Sequence, residues 1–118
     1  MHDQLRIWRE GKKLFASILC ELDHHTAKRI RERIDKELYS ARPDTLVIDF
    51  SGVGFMDSSG VGLILGRAES ASSVGASVII TGLSPILMKL IRLSGVERVR
   101  GVKIEDRIPM KKEGEILK

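Results

Sequence analysis

The sequence predicts an α/β domain with a mixed β-sheet opened by an N-terminal hairpin and followed by βα units, the helices packed on the sheet. Short apolar runs rich in β-branched residues alternate with longer segments that have the three-to-four-residue period of a helix. The first two apolar runs are separated only by a turn, so they must be antiparallel. A length of 118 residues suits one domain, and we assign it to residues 1–118.

The predicted hairpin pairs the runs QLRIW and LFASILC through a turn at Gly11. The first predicted helix begins after Asp23, whose carboxylate can accept hydrogen bonds from the free N–H groups of the first turn, and it ends before Pro43. Its apolar face consists of Ala27, Ile30, Ile34 and Leu38. Opposite charges four residues apart predict weak ion pairs within the helix: Lys28–Glu32, Arg31–Asp35, Glu32–Lys36 and Arg33–Glu37.

The second helix is predicted between two strands, TLVIDF and ASVIITG. Both runs lack strict alternation, which is typical of strands covered on both faces. The helix follows the stretch GFMDSSGVG and stops at Gly75. Its predicted apolar face consists of Val61, Ile64, Leu65, Ala68 and Ala71.

The third helix has the clearest end signals. Ser84 is its predicted N-cap, Pro85 takes the first helical position and Gly95 follows the last turn. The helix is apolar on more than one side, which fits either a well-buried helix or one that offers a surface to a partner. VERVRGVKI is predicted to be a short strand, and residues 105–118, interrupted by Pro109, a weakly structured or short helical tail.

Composition excludes several classes of protein. The net charge of +4 is modest and the basic residues are mixed with acids, so we expect no direct binding to nucleic acid. The single cysteine, Cys20, cannot form an internal disulfide. The N-terminus lacks a signal-peptide pattern, and no apolar run reaches membrane-spanning length. We therefore expect a cytoplasmic protein that is not bound to a membrane.

The serines of GFMDSSGVG raise several alternatives. A hydrolase nucleophile needs a base and usually a third group that orients the base, and neither can be assigned to Ser58 or Ser59. The sequence also lacks the G-x-S-x-G, GKS/T and G-x-G-x-x-G motifs. Cys20, His24 and His25 lack a second cluster that would complete a metal site. The sequence therefore predicts no catalytic residue, no metal and no cofactor.

Two readings of the serines remain open from spacing alone. A serine at a strand-to-helix turn is reachable, and a phosphate there would meet the positive end of the helix dipole beside Asp57. One serine can instead be the N-cap of the second helix. Both readings can hold together, with one serine capping and the other modified.

Three segments resemble a known family. FMDSSGVGLILGR resembles the signature of the STAS-domain anti-sigma factor antagonists, and ELDHHTA resembles a second segment of that family. SPILMKLIRLSGVERV is similar to its third helix and following strand, so the resemblance spans residues 5–104. It implies the STAS fold and a phosphorylated regulator that is not an enzyme. Two features depart from the family: Cys20 stands where a glycine is usual, and its C-terminal helix is poorly reproduced around Pro109.

The resemblance also implies how such a regulator would be switched. Ser58, the serine after the aspartate of the motif, would be phosphorylated by an anti-sigma factor that is also a serine kinase. The unphosphorylated form would bind that kinase and release the sigma factor, and a PP2C-type serine phosphatase would reset it, in control of sporulation-type transcription. The free protein is expected to be a monomer. The implied partner-binding residues are Asp23, His24, His25, Thr26, Asp57, Ser58, Ser59, Gly60 and Gly62.

Two other functions fit parts of the same sequence. One is a non-switching STAS scaffold or transporter accessory module, although such modules often lack the serine that this chain has. The other is a small serine hydrolase, which the missing base disfavours.

Overall fold

The computed structural model describes residues 4–105, so the predicted tail lies outside the described residues apart from Glu105. The elements along the chain are β1 Leu5–Glu10, β2 Lys13–Ile18, α1 His24–Ala41, β3 Thr45–Asp49, α2 Ser58–Ser73, β4 Ser77–Thr81, α3 Pro85–Ser94, a 3₁₀ turn Val96–Arg98 and β5 Val102–Ile104. The predicted order of strands and helices is confirmed. No helix in this part of the chain is both long and apolar enough to cross a membrane.

The five strands form one sheet in the order β1-β2-β3-β4-β5. β1 and β2 are antiparallel and joined at Gly11, whose φ of +61° is a conformation that glycine adopts at little cost. The other three pairings are parallel. Because α1, α2 and α3 each follow a parallel strand, all three helices begin at the same edge of the sheet. The predicted mixed sheet is confirmed.

The first helix packs as its sequence predicts. Asp23 is the N-cap, and the helix ends at Arg42, which has a left-handed φ of 48°, just before Pro43. The buried residues are Ala27, Ile30, Ile34 and Leu38. Burying an isoleucine or leucine side chain stabilises the fold by roughly 1.5–3 kcal/mol, so this face accounts for much of the attachment of α1.

The predicted ion pairs within α1 are wrong. None of the four is formed among residues 4–105, and Asp35 instead pairs with Arg67 of α2. Exposed pairs on one helix gain only a few tenths of a kcal/mol, so side-chain entropy easily outweighs them. Arg67, which is buried on the neighbouring helix, therefore pairs with the Asp35 carboxylate in place of Arg31.

The buried face of α2 is rotated from the predicted one. Ile64, Ala68 and Ala71 are buried as expected, but Leu65 is 42% exposed and Val61 is only half-buried. In their place Gly60, Leu63 and Arg67 are buried. The reason is that α2 packs against α1 as well as the sheet, so its buried face turns toward both.

The third helix has the predicted ends, with Ser84 as N-cap and a left-handed Gly95 after the last turn. Leu87 and Ile91 are buried, whereas Ile86 and Leu93 are 72% and 80% exposed. The prediction of one strand over VERVRGVKI is wrong in its first half. A 3₁₀ turn precedes β5, and Gly101, with a φ of +87°, separates the two.

Candidate functional site

Two loops are joined at the sheet edge where the helices begin. Leu22, just before α1, and Met56, just before α2, form an isolated parallel bridge. The Leu22 N–H donates to the Phe55 carbonyl at 3.0 Å, and the Asp57 N–H donates to the Leu22 carbonyl at 3.2 Å. Both bridging side chains are buried. This backbone link brings the ELDHHT and MDSSG segments together into one surface.

Each segment supplies the aspartate that caps its helix. Asp23 Oδ1 accepts from the His25 and Thr26 N–H groups, both at 2.9 Å, and Thr26 Oγ1 accepts from the Asp23 N–H at 3.0 Å. This is a capping box. In α2, Asp57 Oδ1 accepts from the Ser59 N–H at 2.8 Å. Asp57 therefore caps α2, and the reading in which a serine is the N-cap is wrong.

The two capping carboxylates are held in their charged form. Hydrogen bonds lower the pKa of Asp23, with the Thr26 N–H the largest cause. Hydrogen bonds from the Ser59 hydroxyl and then its N–H lower the pKa of Asp57. The charge of Asp23 raises the pKa of Asp57 and that of His24 lowers it. The two helix starts therefore share one electrostatic environment.

The structure distinguishes the two serines. Ser58 occupies the first position of α2, is exposed, and its hydroxyl has no hydrogen-bond partner among the described residues. Ser59 is half-buried, and its hydroxyl is engaged with Asp57. Neither hydroxyl is hydrogen bonded to a histidine between residues 4 and 105. Ser58 is thus the serine that another protein can reach.

A groove of about 380 Å³ runs between the first turns of α1 and α2. Its α1 wall carries His24, Lys28 and Arg31, and its α2 wall carries Ser59 and Gly62. The sequence analysis placed Lys28 and Arg31 only in intrahelical ion pairs and missed their role as a wall of this groove. Spacing along α1 puts both on one helical face, but nothing in it indicates that α2 lies opposite.

The histidines lie beside each other at the start of α1. The ring centroids of His24 and His25 are 4.3 Å apart, with an angle of 68° between the planes. Both side chains are exposed. Over the described residues no cluster of His, Cys, Asp or Glu could hold a metal ion.

Gly60 and Gly62 differ in what surrounds them. A Cβ on Gly60 would lie 2.5 Å from Met56 Sδ, so a side chain at this position conflicts with the buried bridge residue. A Cβ on Gly62 would have no atom of residues 4–105 within 4 Å, apart from its chain neighbours and the backbone of its own helix. Gly60 is therefore needed for internal packing, whereas Gly62 leaves open space at the surface of α2.

This fold, with two capped helix starts and an exposed serine at one sheet edge, defines a small α/β domain of the STAS type. The family model of the STAS domain matches residues 14–108. The chain is 34% identical over 116 residues to the anti-sigma F factor antagonist of Lysinibacillus sphaericus, covering 86% of this chain and 97% of that protein.

Two solved structures have the same fold. The anti-sigma factor antagonist SpoIIAA in its unphosphorylated form matches with a TM-score of 0.76 at 28% identity, over 92% of this chain and 91% of that one. The Bacillus cell fate determinant SpoIIAA in its phosphorylated form matches with a TM-score of 0.70 at 28% identity, over 92% and 95%. The chain belongs to the STAS domain family and, within it, to the anti-sigma factor antagonists, which are regulators and not enzymes.

Proposed function

We propose that this protein releases a sigma factor by binding its anti-sigma factor, and that phosphorylation of Ser58 switches this binding off. The anti-sigma factor is itself the serine kinase, and a PP2C-type phosphatase restores the binding form. The process regulated is sporulation-type transcription in the cytoplasm. The free protein is a monomer.

The observation that carries this proposal is the position of Ser58. It is exposed at the first position of α2, beside the capping carboxylate of Asp57 and next to the loop that contains Asp23. A phosphate at this position adds nearly two negative charges, which the helix dipole tolerates. The same charges crowd Asp57 and Asp23 and change the surface that the partner meets. SpoIIAA structures that are each 28% identical to this chain are known in an unphosphorylated and in a phosphorylated form, which supports a switch of this kind.

The partner-binding surface that we propose consists of the two joined helix starts. It comprises Asp23, His24, His25, Thr26, Asp57, Ser58, Ser59, Gly60 and Gly62. Most of these residues have exposed side chains, whereas Gly60 contributes by keeping Met56 in place. The surface is assembled by backbone hydrogen bonds, so it is already formed in the free protein.

Phosphate mapping tests the proposal directly. The protein is incubated with ATP and the kinase-type anti-sigma factor encoded in the same genome, and phosphate is located by mass spectrometry. We expect phosphate on Ser58 in the wild type, none in Ser58→Ala, and near-normal modification in the matched Ser59→Ala control. Undiminished phosphorylation of Ser58→Ala would contradict the assignment. A wild type that purifies with a membrane transporter and never acquires phosphate would favour the scaffold alternative.

A further inference from the structure

The groove between α1 and α2 carries positive charge that the described part of the chain does not neutralise. His24, Lys28 and Arg31 line it, no acidic residue does, and none of the three forms an ion pair between residues 4 and 105. Asp35, one turn after Arg31 on α1, is 2.9 Å from the guanidinium of Arg67 and does not line the groove. The charge of Arg31 acts on Arg67 and lowers its pKa, so positive charge from the groove wall reaches this guanidinium as well.

The α2 wall of the groove is open, so that the main chain or a side chain of a partner can approach it closely. Gly62 is exposed, and outside its own helix turn no atom of the described residues lies within 4 Å of the position its Cβ would take. A glycine inside a helix is less favourable than alanine by about 0.5–1 kcal/mol. Neither backbone conformation nor internal packing requires glycine here, since its φ is not positive. The groove also continues into the surface of Ser58, because Ser59 lines it.

We infer that this groove docks an acidic segment of the anti-sigma factor, with carboxylate side chains placed between Lys28 and Arg31 and the partner's main chain passing over Gly62. The inference rests on the proposed function, because it assigns the groove to the same partner. Charge complementarity and continuity with the Ser58 surface support this occupant. Binding at the groove holds the kinase beside Ser58 and contributes to recognition before phosphate transfer.

Charge reversal tests the inference. The dissociation constant of the complex with the kinase-type anti-sigma factor from the same genome is measured by calorimetry for wild type and for Lys28→Glu/Arg31→Glu. We expect binding to weaken about tenfold or more at low salt, because like charges then face each other across the groove. The difference should shrink at high salt, which screens exposed charges. Lys36→Glu, compared with Lys28→Glu alone, is the matched control: each is a single charge reversal on an exposed position of α1, and we expect little effect from Lys36→Glu because Lys36 lies outside the groove.

The outcomes separate the inference from the proposed function. One outcome overturns the acidic-segment inference alone. In it, the wild type binds the anti-sigma factor and is phosphorylated at Ser58, but the double variant binds as tightly as Lys36→Glu. A wild type that neither binds nor is phosphorylated overturns the proposed function as well. Groove-dependent binding of free ATP to the isolated chain, abolished in the double variant, would show a small-anion site and would also overturn the inference. Urea unfolding of each variant ensures that a loss of binding is not a loss of folding.

Discussion

Arg67 Nε lies 2.9 Å from Asp35 Oδ1, and this ion pair joins α2 to α1 beneath the groove. The Arg67 side chain is 4% exposed and that of Asp35 25% exposed. The contact lacks hydrogen-bond geometry, and Arg67 Nη1 has no hydrogen-bond partner among the described residues. Burial lowers the pKa of Arg67, and the charge of Asp35 opposes this effect. Asp35 is the largest source of compensation for the buried guanidinium, ahead of Tyr39 and Glu69.

Removing Asp35 should destabilise the fold. Asp35→Ala leaves a buried guanidinium without its counter-charge, and we expect the free energy of unfolding to fall by about 3 kcal/mol. Replacing both partners, in Asp35→Ala/Arg67→Met, should recover most of that loss because no buried charge remains. Urea unfolding of the three proteins measures both effects. Equal stability of the single and double variants would show that the pair is not the cause.

Alanine at the two glycines should have opposite effects on stability. Gly60→Ala forces Met56 to move and should lower the free energy of unfolding by about 1–3 kcal/mol. Gly62→Ala meets no atom of another element in the described structure and should raise the free energy of unfolding by about 0.5–1 kcal/mol through helix propensity. Gly62→Ala should nevertheless bind the anti-sigma factor more weakly. Thermal unfolding and calorimetry together test this, and unchanged affinity would mean that the partner does not approach Gly62 closely.

Gly82→Ala should be strongly destabilising. Gly82 has a φ of +78°, and a Cβ there would overlap Asp49 Oδ1 and lie 2.7 Å from the Ser51 backbone nitrogen. Asp49 also accepts hydrogen bonds from Ser17 and Ser51, so it cannot move without breaking them. We expect a loss of more than about 2 kcal/mol by urea unfolding. Gly75→Ala is the control, since it shares the positive φ but has open space around it.

A charge at Ser58 should affect binding more than folding. Ser58→Asp places a carboxylate at the first position of α2, where the helix dipole stabilises it by about 0.3–1 kcal/mol at most. We therefore expect a stability close to wild type and weaker binding to the anti-sigma factor, because the variant mimics the phosphorylated state. Ser58→Asn, of nearly the same size but uncharged, is the control. Equal affinities for the two variants would exclude an electrostatic effect.

The two capping aspartates should make stability depend on pH in the acid range. Hydrogen bonds depress the pKa of Asp23 and Asp57 in the folded state below the unfolded value of about 3.9. The stability that the two carboxylates contribute is thus fully present above the unfolded pKa. It is lost as pH falls through their lower pKa values in the folded state. The double variant Asp23→Asn/Asp57→Asn keeps two capping side chains and should lose less stability on acidification. Urea unfolding at a series of pH values measures the difference, and identical pH profiles would contradict this assignment.

Helix ends could be predicted from the sequence because their chemistry is local. Asp23, Ser84, Pro85 and Gly95 each act on the turn next to them, and all four have the predicted place. Asp57 was not identified as a cap because two serines follow it and have similar capping ability. The structure decides between Asp57, Ser58 and Ser59: Asp57 has the extended backbone of an N-cap, with φ −100° and ψ −163°, and its side chain accepts from the Ser59 N–H.

Features that depend on neighbouring elements could not be predicted. The rotation of the α2 face, which exposes Leu65 and buries Arg67, follows from where α1 lies. The same is true of the groove wall formed by Lys28 and Arg31. Spacing alone left Ser58 and Ser59 equivalent and only the family resemblance favoured Ser58, whereas in the structure their exposure distinguishes them. Periodicity describes one element at a time, whereas these properties belong to pairs of elements.

The bridge between Leu22 and Met56 bears on how partner choice can evolve in this protein. The hydrogen bonds that hold the two loops together use only main-chain atoms of Leu22, Phe55 and Asp57. The side chains of Glu21 and Phe55 on either side of the bridge are exposed, with Phe55 53% exposed. Substitutions at these two positions can therefore alter what the surface recognises while the spacing of the two helix starts is kept. Copies of such a chain that differ only at Glu21 and Phe55 would present different surfaces with the same arrangement of the two helix starts.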